Sequence, residues 1–240
     1  MSIVFEDVTK KVRLGAVKLT YTGLNLHIPA DSRMALLGHK QAGLEAIVNL
    51  ICAADAPDYG RVKRTHSISW PIPSGQFVAK HLPLVANARF IARLYEADEG
   101  KFLLQLAELG KLREWFDVKV EECPNEVRAM FCFLAGICLP FEQYLITKVN
   151  VGPRSERDRI GEMLEELGTR AGILLVGSDV RTAQRICSEA YVFDKGCATF
   201  FNDMEAAAEA FSEIETDEAG DDDFMGGDAE LESLVNVDFF

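Results

Sequence analysis

Gly38-His39-Lys40-Gln41-Ala42-Gly43-Leu44-Glu45 follows an apolar run, Met34 to Leu37, and opens a second apolar stretch, Leu44 to Ala53, whose spacing predicts a helix. Strand, glycine-bounded turn and helix N-terminus together are the setting of a phosphate-binding loop. Gly38 and Gly43 stand at the spacing of G-x-x-x-x-G-K-[ST], and that pattern then asks for Lys and for Ser or Thr. Leu44 and Glu45 occupy those positions. A lysine there would reach the β- and γ-phosphates and a hydroxyl would hold Mg²⁺. Leu44 can do neither, and the Glu45 carboxylate repels phosphate. The stretch therefore reads as a phosphate loop that keeps its backbone pattern without its chemistry. Two glycines at this spacing also occur in ordinary turns, so the rest of the chain has to decide.

A length of 240 residues allows one large α/β domain or two small ones, and a hydrophobic fraction of 48% supplies a core. The net charge of −13 is unevenly spread. From Ser212 onward there are 11 acidic residues and no Lys or Arg, so the body before it is close to neutral. No basic face of the kind nucleic acids require is expected, and no nucleic-acid partner. The six cysteines, Cys52, Cys123, Cys132, Cys138, Cys187 and Cys197, form no C-x-x-C pair and read as buried free thiols in a reducing compartment. The start, Met1 to Asp7, lacks the basic and apolar regions of a signal peptide. The longest apolar run, Met130 to Leu139, falls short of the ~20 residues that span a bilayer.

In chain order, residues 2–8 and 24–28 alternate as strands, and Arg33 to Leu37 is the strand before the glycine loop. Pro57-Asp58-Tyr59-Gly60 is a turn, Ser67 to Trp70 a short strand, and Pro71 to Pro83 a loop. Val85 to Tyr95 and Lys101 to Leu112 have helical spacing, and Glu126 to Leu139 is a deeply buried helix. The second half alternates: strand 144–146, helix 155–167 with Ser155 as N-cap, strand 172–176, helix 181–186, strands 190–193 and 198–201, and a closing helix, 204–211. Such alternation implies βαβ units and a mostly parallel sheet. Residues 212–240 show no periodicity and read as a disordered acidic tail. His39, His66 and His81 fall in turns or at strand edges and read as solvated, and Trp70 and Trp115 as packing residues. No metal site is expected.

Three stretches resemble the ATP-binding subunit of an ABC transporter, in particular its capsular-polysaccharide export branch. Pro57-Asp58-Tyr59-Gly60-Arg61-Val62 is similar to that branch's Pro-Asp-Ser-Gly turn. Ser67-Ile68-Ser69-Trp70-Pro71 resembles its Ser-Ile-Ser-Trp-Pro, and Asn87 to Tyr95 its E-N-x-x-F-x-A-R-L-Y helix. The likeness covers about residues 3–211. It implies an α/β fold: an ATP-binding-cassette (P-loop NTPase-like) core, an antiparallel β subdomain and a helical insert around 84–140, with 212–240 as the tail.

The resemblance also locates the family's chemical stations. The adenine-stacking aromatic falls at Val12, and the loop lysine and hydroxyl at Leu44 and Glu45. The metal- and water-sensing Gln falls at Ala79, with Gln76 available if the alignment slips. The signature turn falls on Cys123 to Val127, where Pro124 has no amide hydrogen and Glu126 brings negative charge beside Asn125. The Asp-Glu pair that should close the Walker B strand is Thr147-Lys148, and the switch histidine is Ser178. Lys40 is read as a turn lysine rather than a relocated phosphate ligand. Lys148 is read either as neutralising a bound phosphate or as salt-bridging, with Glu45 as the suggested partner.

The expected function is that of a catalytically inactive nucleotide-binding-type subunit of a capsular polysaccharide export system, acting as regulator or structural partner. It would have no catalytic residue, and ATP binding weak or absent. The alternatives are a freestanding adaptor that recruits a partner through its acidic tail, and a divergent but active export ATPase. Expected partners are an ABC permease or a homologous ATPase subunit, and through the tail an unknown protein anchored by Phe239 and Phe240. The expected location is cytoplasmic, or peripheral at the inner membrane.

Overall fold

Met34 to Leu37 is apolar at every position, the pattern of a strand covered on both faces, and it lies at the centre of the larger sheet. The structure is a computed structural model and describes residues 1–15, 17–39, 42–149, 151 and 156–221. β3 (Arg33–Gly38) is flanked by β6 (Gly172–Gly177) on one side and β7 (Glu189–Asp194) on the other. β5 (Gln143–Ile146) and β8 (Cys197–Phe201) form the two edges, giving the order β5-β6-β3-β7-β8. The first four strands run parallel and β8 returns antiparallel to β7. α5 (Arg157–Gly168) crosses from β5 to its parallel neighbour β6, and α6 (Val180–Ile186) crosses from β6 past β3 to β7. The N-cap proposed at Ser155 lies outside the described residues.

A second, antiparallel sheet has the order β2-β1-β4, from β1 (Ser2–Leu14), β2 (Val17–Pro29) and β4 (Tyr59–Arg64). Sequence reading placed shorter strands at 2–8 and 24–28 and missed β4. Register shifts between Phe5 and Lys10 break the alternation of β1, and β4 (YGRVKR) has almost no apolar period to detect. The expected turn at Pro57 to Gly60 ends inside this strand: Gly60 sits at φ +79, and an added Cβ would lie 2.3 Å from the backbone oxygen of Asp7. The expected strand at Ser67 to Trp70 is a single parallel bridge, Ile68 to Gln143.

Between the sheets, α1 (Leu44–Ile51) buries Ile47, Val48, Leu50 and Ile51. It shares one core with Ile3, Phe5, Tyr21, Leu26 and Ile28 of the antiparallel sheet and with Leu36, Leu174 and Phe193 of the parallel one. This packing holds the loop before α1 in place from two sides.

The chain divides into two compact units, and both sheets belong to the first. The second is built on Ile72–Pro140, with α2 (Leu84–Leu94), α3 (Glu99–Leu109) and α4 (Asn125–Ile137). α4 is buried continuously from Met130 to Ile137, as its unbroken apolar run requires. The Ile72 side chain lies so close to Gly136 that a Cβ there would stand 2.6 Å from it. Asp98 caps α3 by accepting a hydrogen bond from the Lys101 amide, 2.7 Å.

α7 (Met204–Asp221) packs on β7, β8 and α6. It runs well past Phe211, where the apolar period stops and the sequence reading placed disorder. Residues 222–240, with Phe239 and Phe240, lie outside the described residues. Among the described residues no helix is long and apolar enough to cross a membrane.

Candidate functional site

The glycine loop joins β3 to α1. The Ala42 amide donates to the His39 carbonyl at 2.9 Å, and Gly43, at φ 66 and ψ 34, turns the chain into the helix. Lys40 and Gln41 lie outside the described residues. Leu44 folds back: a Cβ on Gly38 would be 3.1 Å from its Cγ and 2.8 Å from the Ala42 Cβ, so only glycine admits both side chains. Leu44 is half-buried against the core. The Tyr21 hydroxyl donates to the Ala42 carbonyl from a fully buried position, and desolvation raises its pKa. The Tyr21 ring meets Phe193 edge-on at 6.0 Å.

His39 is half-buried rather than solvated. Its ring stacks on Phe211 of α7 at 4.1 Å and 20°, and its Nε2 atom is buried with no hydrogen-bond partner among the described residues. His66 is also half-buried, with Nε2 2.9 Å from the Gln143 Oε1 atom. Both exceptions arise because elements far away in sequence cover turns that look open locally. His81 is exposed, as expected. Glu45 is exposed in the first turn of α1, where a carboxylate suits the positive end of the helix.

Strand order brings other sequence-located positions to the same edge. Ile146 is level with Leu175, and Leu175 with Ala35, so the carboxyl ends of β5, β6 and β3 lie side by side. In open α/β sheets that edge is where ligands bind. Thr147 is half-buried and Lys148 exposed just beyond β5, and Ser178 is exposed just beyond β6. Glu45 and Lys148, suggested as partners by the sequence, form no ion pair with each other. Beside Ser178, Asp179 caps α6 by accepting from the Thr182 amide at 3.1 Å and its hydroxyl at 2.8 Å. Val12 is half-buried in β1, opposite Leu19, and packs on the core.

In the second unit, Ala79 lies in a loop fastened by Asn87. The buried Asn87 carboxamide accepts from the Ala79 amide at 2.7 Å and donates to the carbonyls of Ala79 and Pro83 at 3.0 and 3.2 Å. Gln76 is exposed. Pro124 precedes α4 with no side-chain cap, Glu126 is exposed in its first turn, and Asn125 accepts from the Arg128 guanidinium.

Over 193 residues the chain is 30% identical to the capsule polysaccharide export ATP-binding protein CtrD of Neisseria meningitidis serogroup B, a match spanning 80% of this chain and 89% of that one. The chain belongs to the capsule polysaccharide export ATP-binding proteins. It is also 26% identical over 213 residues to the polysialic acid transport ATP-binding protein KpsT of Escherichia coli, across 85% of this chain and 96% of that one. To the ATP-binding protein BexA of Haemophilus influenzae it is 26% identical over 200 residues, 82% and 92% of the two chains. The fold is that of an ATP-binding cassette. It superposes on an ATP-binding subunit of an ABC transporter with TM-score 0.72 at 16% identity, covering 90% of this chain and 99% of the other. On the ATP-binding cassette MJ0796 in a dimeric post-hydrolysis state bound to ADP and Pi, the TM-score is 0.68 at 14% identity, over 81% and 95% of the chains. No family-wide profile matches the chain.

For a capsule-export ATP-binding protein, the residues that carried the branch resemblance turn out to be structural fasteners. Ser69 donates its amide to the Gln143 carbonyl at 3.0 Å and accepts the Leu145 amide on its hydroxyl at 2.9 Å, fixing β5. Gln143, fully buried, donates to the Pro29 carbonyl at 3.0 Å. Trp70 packs edge-on against Phe141 at 5.5 Å, a packing role as expected. Asn87, quoted only as part of a helix motif, holds the loop around Ala79. Tyr21 and Phe211, which flank the glycine loop, carried no sequence signal at all, because each reaches it from a remote element.

Proposed function

We propose that this protein is a catalytically inactive nucleotide-binding-type subunit attached to a capsule polysaccharide export system, acting by contact as a regulator or structural partner. The observation that carries this reading is Leu44. At the position where a phosphate loop places its lysine, a leucine folds against Gly38 and into the core. Lys148 and Ser178 stand at the edge where a carboxylate base and a switch histidine would be needed, and Thr147 where a metal-holding carboxylate would be. With those groups replaced together, the side chains that would hold Mg²⁺ and polarise an attacking water are missing from these family positions. A homologous ATPase and an ABC permease are the partners the family relation suggests, with this chain on the cytoplasmic face of the membrane.

Nucleotide binding is the first test. A ligand of the native state raises stability by RT ln(1 + [L]/Kd), so thermal unfolding with Mg-ATP at about millimolar concentration should give no saturable rise in midpoint. A clear saturable rise would restore an active site to this loop. Co-purification from native membranes should bring down a permease. Recovery with soluble proteins alone would instead make this a freestanding adaptor.

A further inference from the structure

Eight large apolar side chains are exposed among the described residues, and five of them, Leu82, Phe90, Leu94, Tyr95 and Leu104, fall in one stretch of the second unit. Phe90 and Leu94 stand one turn apart on α2 and share a face, 57% and 59% exposed. Arg89 and Arg93 follow the same rise along the flank of that face. Their side chains are 53% and 75% exposed, and both reach Glu99 at the start of α3, at 3.0 and 3.1 Å. Two guanidinium groups share one carboxylate beside the apolar pair. Such a face suits an occupant that is itself apolar and acidic.

The chain carries a segment of that chemistry. Beyond α7, Leu231, Leu234, Val235, Val237, Phe239 and Phe240 are interleaved with Asp228, Glu230, Glu232 and Asp238. The segment is 19 residues long, 222–240, and stretched out it reaches roughly 60 Å. Tethering also gives the segment an effective concentration on the order of millimolar, enough for a contact too weak to form between separate molecules.

We propose that the C-terminal segment of this chain docks on α2, with Phe239 and Phe240 against Phe90 and Leu94 and its carboxylates toward Arg89 and Arg93. The segment then masks the face in the resting protein, and a partner of that face must displace it.

Hydrogen exchange on the full-length protein tests this. The peptide spanning 84–95 should exchange at least about threefold faster in the F239S/F240S variant than in the unaltered chain, while peptides of α4 stay the same. A photo-crosslinker placed at Phe240 should label the 84–95 peptide of the same molecule. R89E/R93E should remove that label at an unfolding midpoint close to that of the unaltered protein. Equal exchange in the two chains would overturn the proposal. So would crosslinks elsewhere on the body, or crosslinks formed only between two copies.

Discussion

Tyr21 and Leu44 hold the backbone of the glycine loop from inside. Leu44 anchors the loop to the core by packing, and the Tyr21 hydroxyl ties down the Ala42 carbonyl. Tyr21→Phe leaves that carbonyl without its partner in a buried place, which should cost about 1–3 kcal/mol in urea-induced unfolding. An unchanged midpoint would mean that the loop is held by packing alone. The thiols give a second prediction at this scale. Burial pushes Cys132 and Cys187 up to about 12 and Cys52 up to about 11, from an ordinary value of 9.0. The native protein therefore keeps these protons more tightly than the unfolded chain. The stability they contribute is complete below pH 9 and is lost as pH climbs toward the folded values, so the unfolding midpoint should fall across that window. Cys132→Ala combined with Cys187→Ala should flatten the fall, and an identical pH slope would refute this assignment. Gly38, Gly43, Leu44 and Glu45 were legible in sequence because the loop is a local pattern. The stacking of His39 on Phe211 was not, because its partner arrives from the last helix.

Among the elements, β4 shows how a strand hides from pattern reading. Its residues alternate between charge and little else, and Glu6 of β1 pairs with both Arg61 and Lys63. Its place is fixed by a backbone fit. Asp7 bulges at φ 49, and Gly60 faces it at φ +79 with no room for a side chain. Gly60→Ala would force a Cβ onto the Asp7 carbonyl in a left-handed conformation, which should cost about 2 kcal/mol or more in thermal or urea unfolding. A change within error would show that the bulge relaxes freely. The parallel strands, by contrast, were readable almost to the residue. A strand covered on both faces must be apolar along its middle, and Met34 to Leu37, Tyr144 to Ile146, Ile173 to Val176 and Ala190 to Phe193 are. The end of α7 was missed because the apolar period that marks a helix in sequence stops near Phe211, while the helix runs on to Asp221. Ser67 to Trp70 was read as a strand, and only one bridge forms there; its serines bind β5 through side-chain as well as backbone atoms.

For the molecule as a whole, the family was legible because branch-specific residues such as Ser67, Ser69, Trp70 and Asn87 are the ones that pin the fold. Core and fasteners preserve an architecture independently of what the site can do. The chain is a capsule-export ATP-binding protein by descent and an ATP-binding cassette by fold, and its chemistry rests on a handful of positions at one sheet edge. We infer that those positions no longer support hydrolysis. Steady-state hydrolysis of Mg-ATP by the purified full-length protein measures this directly. The expected result is phosphate release no faster than the buffer blank at every ATP concentration. Saturable turnover that disappears in Lys40→Ala would contradict it, and would mean that this chain runs ATP chemistry with a relocated lysine.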